Sequence, residues 1–265
     1  MIYTLGIDIG STTSKCVILS DRKEILSMTL LKGGAGTRSP LKAYNLALKE
    51  AGLSEEDLSY VISTGYGRSN FSQSMEQVSE LSCHAKGVYF SEPETRTIID
   101  IGGQDVKVIA LDKNGKMSNF LMNDKCAAGT GRFLDVMAGI LAIDVQELEE
   151  YAESAKNPVS ISNTCTVFAE SEVISQMSRG VELEDLVAGI CESVARRVAG
   201  LAKRIGIKDG VFMSGGVAQN GGVRHSLESI LEKDIIYNDK AQYMGALGAS
   251  LFAYDKFINN KKGGY

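Results

Sequence analysis

The chain has 265 residues, of which 44% are hydrophobic, and its formal net charge is −5 at pH 7. This length suits one large domain or two medium ones, and the hydrophobic content excludes global disorder. The sequence contains no dense Lys/Arg stripe and no apolar run of the roughly 18–20 residues that a membrane span needs, so we expect neither a nucleic-acid nor a membrane partner. The first residues lead into a strand pattern without a signal-peptide pattern, and we expect a cytoplasmic protein.

The first predicted elements are strands over residues 3–9, 16–19 and 24–31, which form an antiparallel meander. The first turn of this meander is rich in small and hydroxyl-bearing residues and follows the carboxylate of Asp8. Further along, the pattern predicts a strand over residues 60–63 and a helix over residues 76–90.

A helix is also predicted between the third and fourth strands. Ser39 and Pro40 have the order of an N-cap followed by a first helical residue, and Gly52 is expected to end the helix. We predict that Leu41, Tyr44 and Leu48 form its buried face.

Residues 98–111 repeat the pattern of residues 7–19, an Asp-x-Gly turn between two apolar strands. A duplicated strand–turn–strand unit indicates two similar domains. We assign residues 1–95 plus 243–265 to the first domain and residues 96–242 to the second, and we expect the two domains to share a cleft. The matched pairs are Asp8 and Asp100, Gly10 and Gly102, Lys15 and Lys107, and Leu19 and Leu111.

Two such turns facing each other across a cleft are suited to binding a Mg²⁺-nucleotide. We expect the carboxylates of Asp8 and Asp100 to hold Mg²⁺ through waters, because Mg²⁺ gives up its waters reluctantly. Gln104 can orient an attacking water, as a glutamine does in other NTPases. The alternative interpretation is that these segments are ordinary tight turns.

Two further features suit the same ligand. The hydroxyls of Ser11, Thr12 and Thr13 can bind phosphate oxygens together with backbone N–H groups. The pair Gly215 and Gly216 follows a predicted strand, and it would let adenine or ribose lie against the backbone.

The five cysteines fall into two groups. Their odd number and the lack of a C-x-x-C pair disfavour a disulfide framework and a structural zinc site. Cys16, Cys83 and Cys191 lie in predicted strands or helices and are expected in the core. Cys126 and Cys165 each stand in a segment that opens a predicted helix, where the positive end of the helix dipole favours a thiolate. The alternative is that these two are also small buried residues.

The count of suitable thiols favours an iron–sulfur cluster shared by two chains. A [4Fe–4S] cluster usually takes four thiolates, whereas one chain offers only Cys126 and Cys165 in a suitable setting. Two chains related by a two-fold axis offer four. The sequence therefore predicts a homodimer bridged by one cluster.

Seven segments of the chain match a known family. They are residues 6–12, 64–68, 80–85, 99–105, 123–135, 162–175 and 215–220. In these segments the chain resembles the activators of 2-hydroxyacyl-CoA dehydratases, within the BadF/BadG/BcrA/BcrD-type ATPase family. The resemblance implies an α/β fold, the duplicated ribonuclease-H-like two-domain ATPase of the actin, hexokinase and heat-shock-70 type.

The resemblance also implies a function. The family takes one electron from a reduced ferredoxin or flavodoxin and passes it, at low potential, through the [4Fe–4S] cluster of a homodimer to a 2-hydroxyacyl-CoA dehydratase. ATP binding and its hydrolysis to ADP drive the transfer. The cluster ligands would be Cys126 and Cys165 of each subunit. The nucleotide-binding residues implied are Gly10, Ser11, Thr12, Thr13, Ser14, Lys15, Gly102, Gly103, Asp105, Asp135, Gly215, Gly216, Gln219 and Gln242, with Asp135 towards ribose and Gln219 and Gln242 towards adenine.

Three other functions remain open from the sequence. The nearest is the ATPase component of an aryl-CoA reductase such as benzoyl-CoA reductase, which would differ in its partner rather than in its own chemistry. A small-molecule kinase of the same fold would need neither Cys126 nor Cys165. A non-catalytic ATP-binding regulator would have these cysteines in its core.

Overall fold

A computed structural model describes residues 1–262 of the chain, so the last three residues of the segment 243–265, assigned above to the first domain, lie outside the described residues. The structure divides into two compact units. The first comprises Met1–Thr95, Leu111–Met117 and the chain from Gln242 onward, and the second comprises Arg96–Ala110 and Ser118–Ala241.

The described residues form ten strands and eight α-helices. The strands are β1 (Thr4–Ile9), β2 (Thr13–Leu19), β3 (Ile25–Lys32), β4 (Tyr60–Thr64), β5 (Glu76–Gln77), β6 (Thr97–Ile101), β7 (Val106–Leu111), β8 (Met117–Asn123), β9 (Val211–Ser214) and β10 (Ile235–Ile236). The helices are α1 (Ser39–Ala51), α2 (Glu80–Ser91), α3 (Gly131–Leu141), α4 (Leu148–Ser154), α5 (Thr166–Ser178), α6 (Leu183–Ile205), α7 (Gly221–Leu231) and α8 (Met244–Lys262).

Each unit is built on a five-stranded mixed sheet, and the two sheets have the same strand order. The first runs β3-β2-β1-β4-β5 and the second β8-β7-β6-β9-β10. In both sheets the first strand pairs antiparallel with the second and parallel with the fourth. The internal repeat therefore extends beyond the meander found in the sequence, to the parallel strands β4 and β9.

The first sheet is covered by helices on both faces. Apolar side chains of β1 and β2 pack with α1, where Tyr44 is fully buried and meets the ring of Phe71 edge-on at 5.6 Å. On the other face Ile62 and Cys83 pack against α8. Burial of this apolar surface is the main force that holds the sheet and its helices together.

Three local predictions were wrong. In α1, Tyr44 and Leu48 are buried as predicted, but Leu41 is 45% exposed, because the buried stripe at helical spacing continues from Tyr44 to Pro40. Ser39 is the first helical residue, and Arg38 is the N-cap. The helix predicted over residues 76–90 begins only at Glu80, because the Ser79 hydroxyl accepts a hydrogen bond from Ser82 N and caps the helix there. The preceding Glu76–Gln77 forms the edge strand β5.

A close approach between α2 and α8 depends on glycine. A Cβ on Gly248 would overlap the carbonyl oxygen of Cys83. We expect Gly248→Ala to destabilise the first unit by about 1–3 kcal/mol, the usual effect of overpacking. Gly139→Ala in α3 is the matched control, since a Cβ there meets nothing within 4 Å. Thermal unfolding should show a lower midpoint for Gly248→Ala only, and equal midpoints would contradict the close approach.

Candidate functional site

The first candidate loop connects β1 to β2. Asp8 and Lys15 are direct partners in the antiparallel register, and Lys15 Nζ lies 3.1 Å from Asp8 Oδ2. The carboxylate is buried, with 3% of its side chain exposed, whereas Lys15 is 14% exposed. The loop thus offers one partly accessible ammonium group beside a buried carboxylate.

One oxygen of Asp8 is left open. Within the described part of the chain, Asp8 Oδ1 is buried and has no hydrogen-bond partner. A buried carboxylate oxygen without a donor is costly and requires an explanation, such as a water or an ion. Two glycines, Gly65 and Gly245, lie against this carboxylate, and a Cβ on Gly245 would stand 3.0 Å from Asp8 Oδ2.

The residues of the turn itself differ in accessibility. Thr12 is exposed and Gly10, Ser11 and Thr13 are half-buried. Backbone hydrogen bonds fix the turn, from Gly10 N to the Thr13 carbonyl at 3.0 Å and from Gly33 N to the Thr12 carbonyl at 2.7 Å. Ser14 is buried and donates its hydroxyl to the carbonyl of Gly33 at 2.8 Å, so its side chain is engaged within the protein.

The second candidate loop repeats the Asp–Lys pair with a different environment. Asp100 and Lys107 are again direct register partners, with Lys107 Nζ 3.3 Å from Asp100 Oδ2. Lys107 also contacts Asp105 Oδ1 at 2.8 Å and is only 2% exposed. The other oxygen of Asp100 accepts a hydrogen bond from the Ser214 hydroxyl at 2.8 Å. Both carboxylate oxygens of Asp100 are therefore engaged within the second unit, whereas Asp8 has a partner at Oδ2 but none at Oδ1 among the described residues.

The tip of the second loop is Gly102, Gly103 and Gln104. Gln104 is exposed, and the two glycines are half-buried. The carbonyls of Gly102 and Gly103 accept hydrogen bonds from the N–H groups of Gly131 at 2.9 Å and Arg132 at 2.8 Å, in the first turn of α3. The loop that was predicted to bind phosphate is thus bonded to the beginning of α3.

The glycine pair after β9 lies in the same unit. Gly215 has φ +87°, and a Cβ there would stand 3.0 Å from Asp100 Oδ1. Gly216 and Gln219 are exposed, in the turn before α7. A Cβ on Gly131 would contact both the Gly102 carbonyl, at 3.3 Å, and Val217, at 3.5 Å. The second unit therefore brings the loop at Gly102, the loop at Gly215 and the first turn of α3 together.

Two further predicted ligand residues stand apart from these loops in the sequence. Asp135 is exposed on α3, one turn after Gly131. Gln242 is half-buried in the first unit, in the short turn Ala241–Tyr243 that precedes α8.

Cys126 does not lie at a helix start, which corrects the sequence prediction. The segment 126–130 forms a loop, closed by a hydrogen bond from Thr130 N to the Ala127 carbonyl at 3.0 Å, and Gly129 has φ +86°. The helix α3 begins after it, at Gly131, with Thr130 as N-cap. Since the first N–H groups of α3 bond to the Gly102 loop, they are not directed at Cys126.

Cys165 is the N-cap of α5, as predicted. Both Cys126 and Cys165 are partly exposed. The helices that follow them, α3 and α5, contact each other, and both contact α6. The second unit therefore holds both cysteines at its surface on neighbouring elements.

The other three cysteines are core residues, as predicted. Cys16, Cys83 and Cys191 are each 0% exposed. Burial raises the pKa of the Cys83 and Cys191 thiols to about 12, and it raises the pKa of Cys16 further. These thiols stay protonated at neutral pH and are unsuited to bind a metal.

Sequence reasoning missed the glycine that follows β4. Gly65 has φ +86°, close to the +87° of Gly215, and a Cβ on either would overlap a carbonyl or carboxylate of the Asp-x-Gly strand beside it. Asp8 pairs in register with Thr64, and Asp100 pairs with Ser214. In the sequence, the only sign of this match is that each of these two strands ends in a hydroxyl residue followed by glycine, a pattern too short to show that the two positions are equivalent.

Comparison with known proteins supplies the family. The sequence profile of the BadF/BadG/BcrA/BcrD ATPase family matches residues 5–253. The chain belongs to this family. The resemblance found in the sequence is thereby confirmed, and so is the prediction of an ATPase at the level of the family.

Two similar proteins are dehydratase activators. The (R)-2-hydroxyglutaryl-CoA dehydratase activating ATPase of Acidaminococcus fermentans is 56% identical, over 96% of this chain and 98% of that protein. The solved structure of the activator of the 2-hydroxyisocaproyl-CoA dehydratase from Clostridium difficile, with bound ADPNP, is 54% identical. It covers 98% of this chain and 97% of that chain, with a TM-score of 0.96.

More distant similarities bear on the alternatives and the fold. One of the subunits of benzoyl-CoA reductase from Thauera aromatica is 37% identical over 95% of this chain and 93% of that protein. A glucokinase of the ROK family from Streptomyces griseus has a TM-score of 0.57 at 15% identity, covering 96% of this chain and 99% of that chain, which bears on the fold alone. The predicted actin/hexokinase-type fold is confirmed.

Among the described residues, no helix is both long and apolar enough to span a membrane.

Proposed function

We propose that this protein is an ATP-hydrolysing activator of a 2-hydroxyacyl-CoA dehydratase, and that it delivers one low-potential electron to that enzyme. The proposal rests on the 56% identity to a dehydratase-activating ATPase. It also rests on two surface cysteines in the same unit as the Gly102 loop, which is predicted to bind phosphate. The electron donor would be a reduced ferredoxin or flavodoxin.

The first unit would contribute Mg²⁺ binding. Asp8 Oδ1 is a buried acceptor that lacks a donor within the described residues, so it fits a bound Mg²⁺ or a water of its shell. Lys15 lies beside it and is accessible enough to neutralise a phosphate oxygen. The hydroxyls of Ser11, Thr12 and Thr13 would add donors, and the buried Ser14 would hold the shape of the turn.

The second unit would bind phosphate through Gly102 and Gly103, with Gln104 orienting the attacking water. Asp100 has both oxygens engaged by Lys107 and Ser214, so we propose that it mainly fixes this loop. Its expected contact with Mg²⁺ through waters stays a prediction. Asp105 contributes to the same ion pair. The residues that stay predictions for contacts to adenine and ribose are Gly215, Gly216, Gln219, Asp135 and Gln242.

The donor set fits a [4Fe–4S] cluster shared by a homodimer. Cys126 and Cys165 are partly exposed, whereas burial keeps the other three cysteines as protonated thiols. Each chain thus offers two of the four thiolates that such a cluster usually needs. When bound, the cluster would supply a one-electron carrier at low potential.

Backbone hydrogen bonds connect the Gly102 loop, which is predicted to bind phosphate, to the helix that follows the Cys126 loop. The carbonyls of Gly102 and Gly103 are hydrogen-bonded to the first turn of α3, which directly follows the Cys126 loop. A change of the Gly102 loop on ATP hydrolysis would therefore be transmitted to α3 and to Cys126. ATP can drive such a change only as far as it binds one conformation more tightly than the other.

The helix after Cys165 offers a surface for partners. Val167 and Phe168 in its first turn are 63% and 66% exposed, and Ile174 and Met177 further along are 48% and 41% exposed. Exposed apolar side chains of this kind often mark a protein–protein interface. The second subunit and the dehydratase are the partners that this proposal requires there.

The test is to purify the protein without oxygen and to measure iron content, visible absorption and ATP-dependent activation of a 2-hydroxyacyl-CoA dehydratase. We expect about four irons per dimer and broad absorption near 400 nm. Dehydratase activity should require both this protein and ATP. An iron-free, colourless protein that still hydrolyses ATP would exclude electron transfer.

The same assay separates the alternative partner. The benzoyl-CoA reductase relative is 37% identical to this chain, well below the dehydratase-activating ATPase. If the iron-containing protein supports an aryl-CoA reductase and no dehydratase, the partner assignment is wrong while the electron-transfer assignment stands.

A further inference from the structure

The helix α6 contacts the loops of both surface cysteines through one face. The α6 face is defined by Gly189, Ser193 and Arg197, which are spaced by four residues and so lie one above the other on the helix. Each of the three contacts a segment that leads to or from a cysteine.

Two residues of the α6 face hold the segment before Cys165. The carbonyl of Val159 occupies the place that a Cβ on Gly189 would take. Ser193, which is 1% exposed, donates its hydroxyl to the Ser162 carbonyl at 3.0 Å. The N–H of Ser162 donates to Glu172 Oε2 at 2.7 Å, so the Ser162 backbone is fixed to both α6 and α5.

The third residue covers the loop of Cys126. A Cβ on Gly129 would stand 2.8 Å from Arg197 Cγ and 3.2 Å from Arg197 Cβ. Gly129 has φ +86° and lies three residues after Cys126. The aliphatic part of Arg197 therefore packs directly against the turn that closes the Cys126 loop.

We propose that the α6 face positions both cysteine loops for the cluster, and that Ser193 and Arg197 are positioning residues. This inference rests on the proposed function, since it assigns residues that act on the cluster through Cys126 and Cys165. A rigid helix that carries both loops fixes the distance between the two thiolates before metal binds. Residues of this kind around a metal site typically change metal affinity about 10–100-fold when replaced.

Gly189→Ala is the main test, because its added methyl group must push the segment at Val159 away from α6. The matched control is Gly200→Ala on the same helix, where a Cβ meets nothing within 4 Å. The measurement is the rate at which a ferrous chelator removes iron from the anaerobic holoprotein, together with the electron paramagnetic resonance spectrum of the reduced cluster. We expect Gly189→Ala to release iron about 10-fold faster with an altered spectrum, and Gly200→Ala to match the unmodified protein.

A second pair of variants covers the case in which Gly189→Ala does not fold. Ser193→Ala removes the donor to the Ser162 carbonyl and should also accelerate iron release, whereas Ser193→Thr keeps a hydroxyl and should restore the slow rate. Ser226→Ala is the control, because that hydroxyl bonds to Gly222 within its own helix.

The outcomes separate this inference from the proposed function. Unchanged iron release and an unchanged spectrum in folded Gly189→Ala or in Ser193→Ala would overturn the positioning role of the α6 face, while the cluster itself remained established. An unmodified protein without iron would instead refute the proposed function.

Discussion

Replacing Cys126 or Cys165 with serine should leave the anaerobically purified protein without iron. Each substitution removes two ligands per dimer, because the two-fold axis repeats it, and two remaining thiolates do not hold a [4Fe–4S] cluster. Iron should fall from about four per dimer to near zero, and absorption near 400 nm should disappear. ATP binding should persist, because the Asp8 loop belongs to the first unit and the Gly102 loop keeps its own hydrogen bonds.

Cys191→Ser is the control for that experiment. Cys191 is fully buried, and burial raises its pKa to about 12, so it has no role as a thiolate ligand. This variant should keep its iron, even if its thermal midpoint falls. Full iron content in Cys126→Ser or Cys165→Ser would contradict the ligand assignment, as would loss of iron confined to Cys191→Ser.

The iron-free protein gives a second readout of the same distinction. At pH about 8, near the ordinary pKa of a cysteine thiol, an alkylating reagent should modify Cys126 and Cys165, which are partly exposed. The buried cysteines should react only after unfolding, because burial both blocks access and keeps their thiols protonated. Peptide mapping of the modified residues would check this order.

The repeat in the sequence predicted much of the fold, since Asp-x-Gly between apolar strands recurs with the same spacing. The repeat did not predict the full strand order. That the order is the same in both units became visible only in the structure, where β4 lies beside β1 and β9 lies beside β6. Those pairings join strands distant in sequence, so no local pattern encodes them. The equivalence of Thr64-Gly65 and Ser214-Gly215 was therefore invisible until the sheets were known.

The site was predicted least well where its residues contact others that are distant in the sequence. Cys126 was expected at a helix start because a glycine-rich turn and apolar residues at helical spacing follow it. However, α3 begins only at Gly131, and its first N–H groups bond to the carbonyls of Gly102 and Gly103. Periodicity cannot reveal that partner. In the same way, the sequence treats Asp8 and Asp100 as equals, and only their neighbours distinguish them.

That distinction leads to the second large effect, which concerns Asp8. Asp8→Asn should lower kcat for ATP hydrolysis on the order of a hundredfold, because it removes the charge at the oxygen assigned to Mg²⁺ or its water shell. The thermal midpoint should change little, since Lys15, with which Asp8 loses its ion pair, is partly exposed to solvent. Steady-state hydrolysis at saturating Mg²⁺ and ATP, with calorimetry of the same samples, would measure both.

Asp100→Asn is the matched substitution in the other repeat, and it should act on stability. Lys107 is 2% exposed and would lose one of the two carboxylates that it contacts, so the second unit should be destabilised by about 3 kcal/mol. That corresponds to a thermal midpoint lower by roughly 6–12 °C. If Asp8→Asn kept its kcat within about threefold of the unmodified protein, or if Asp100→Asn lost hydrolysis without loss of stability, the role assigned to that carboxylate would be wrong. If both results were found, the two carboxylates would have the opposite roles. In that case Asp100 would bind the metal in the second unit, and Asp8 would stabilise the first unit.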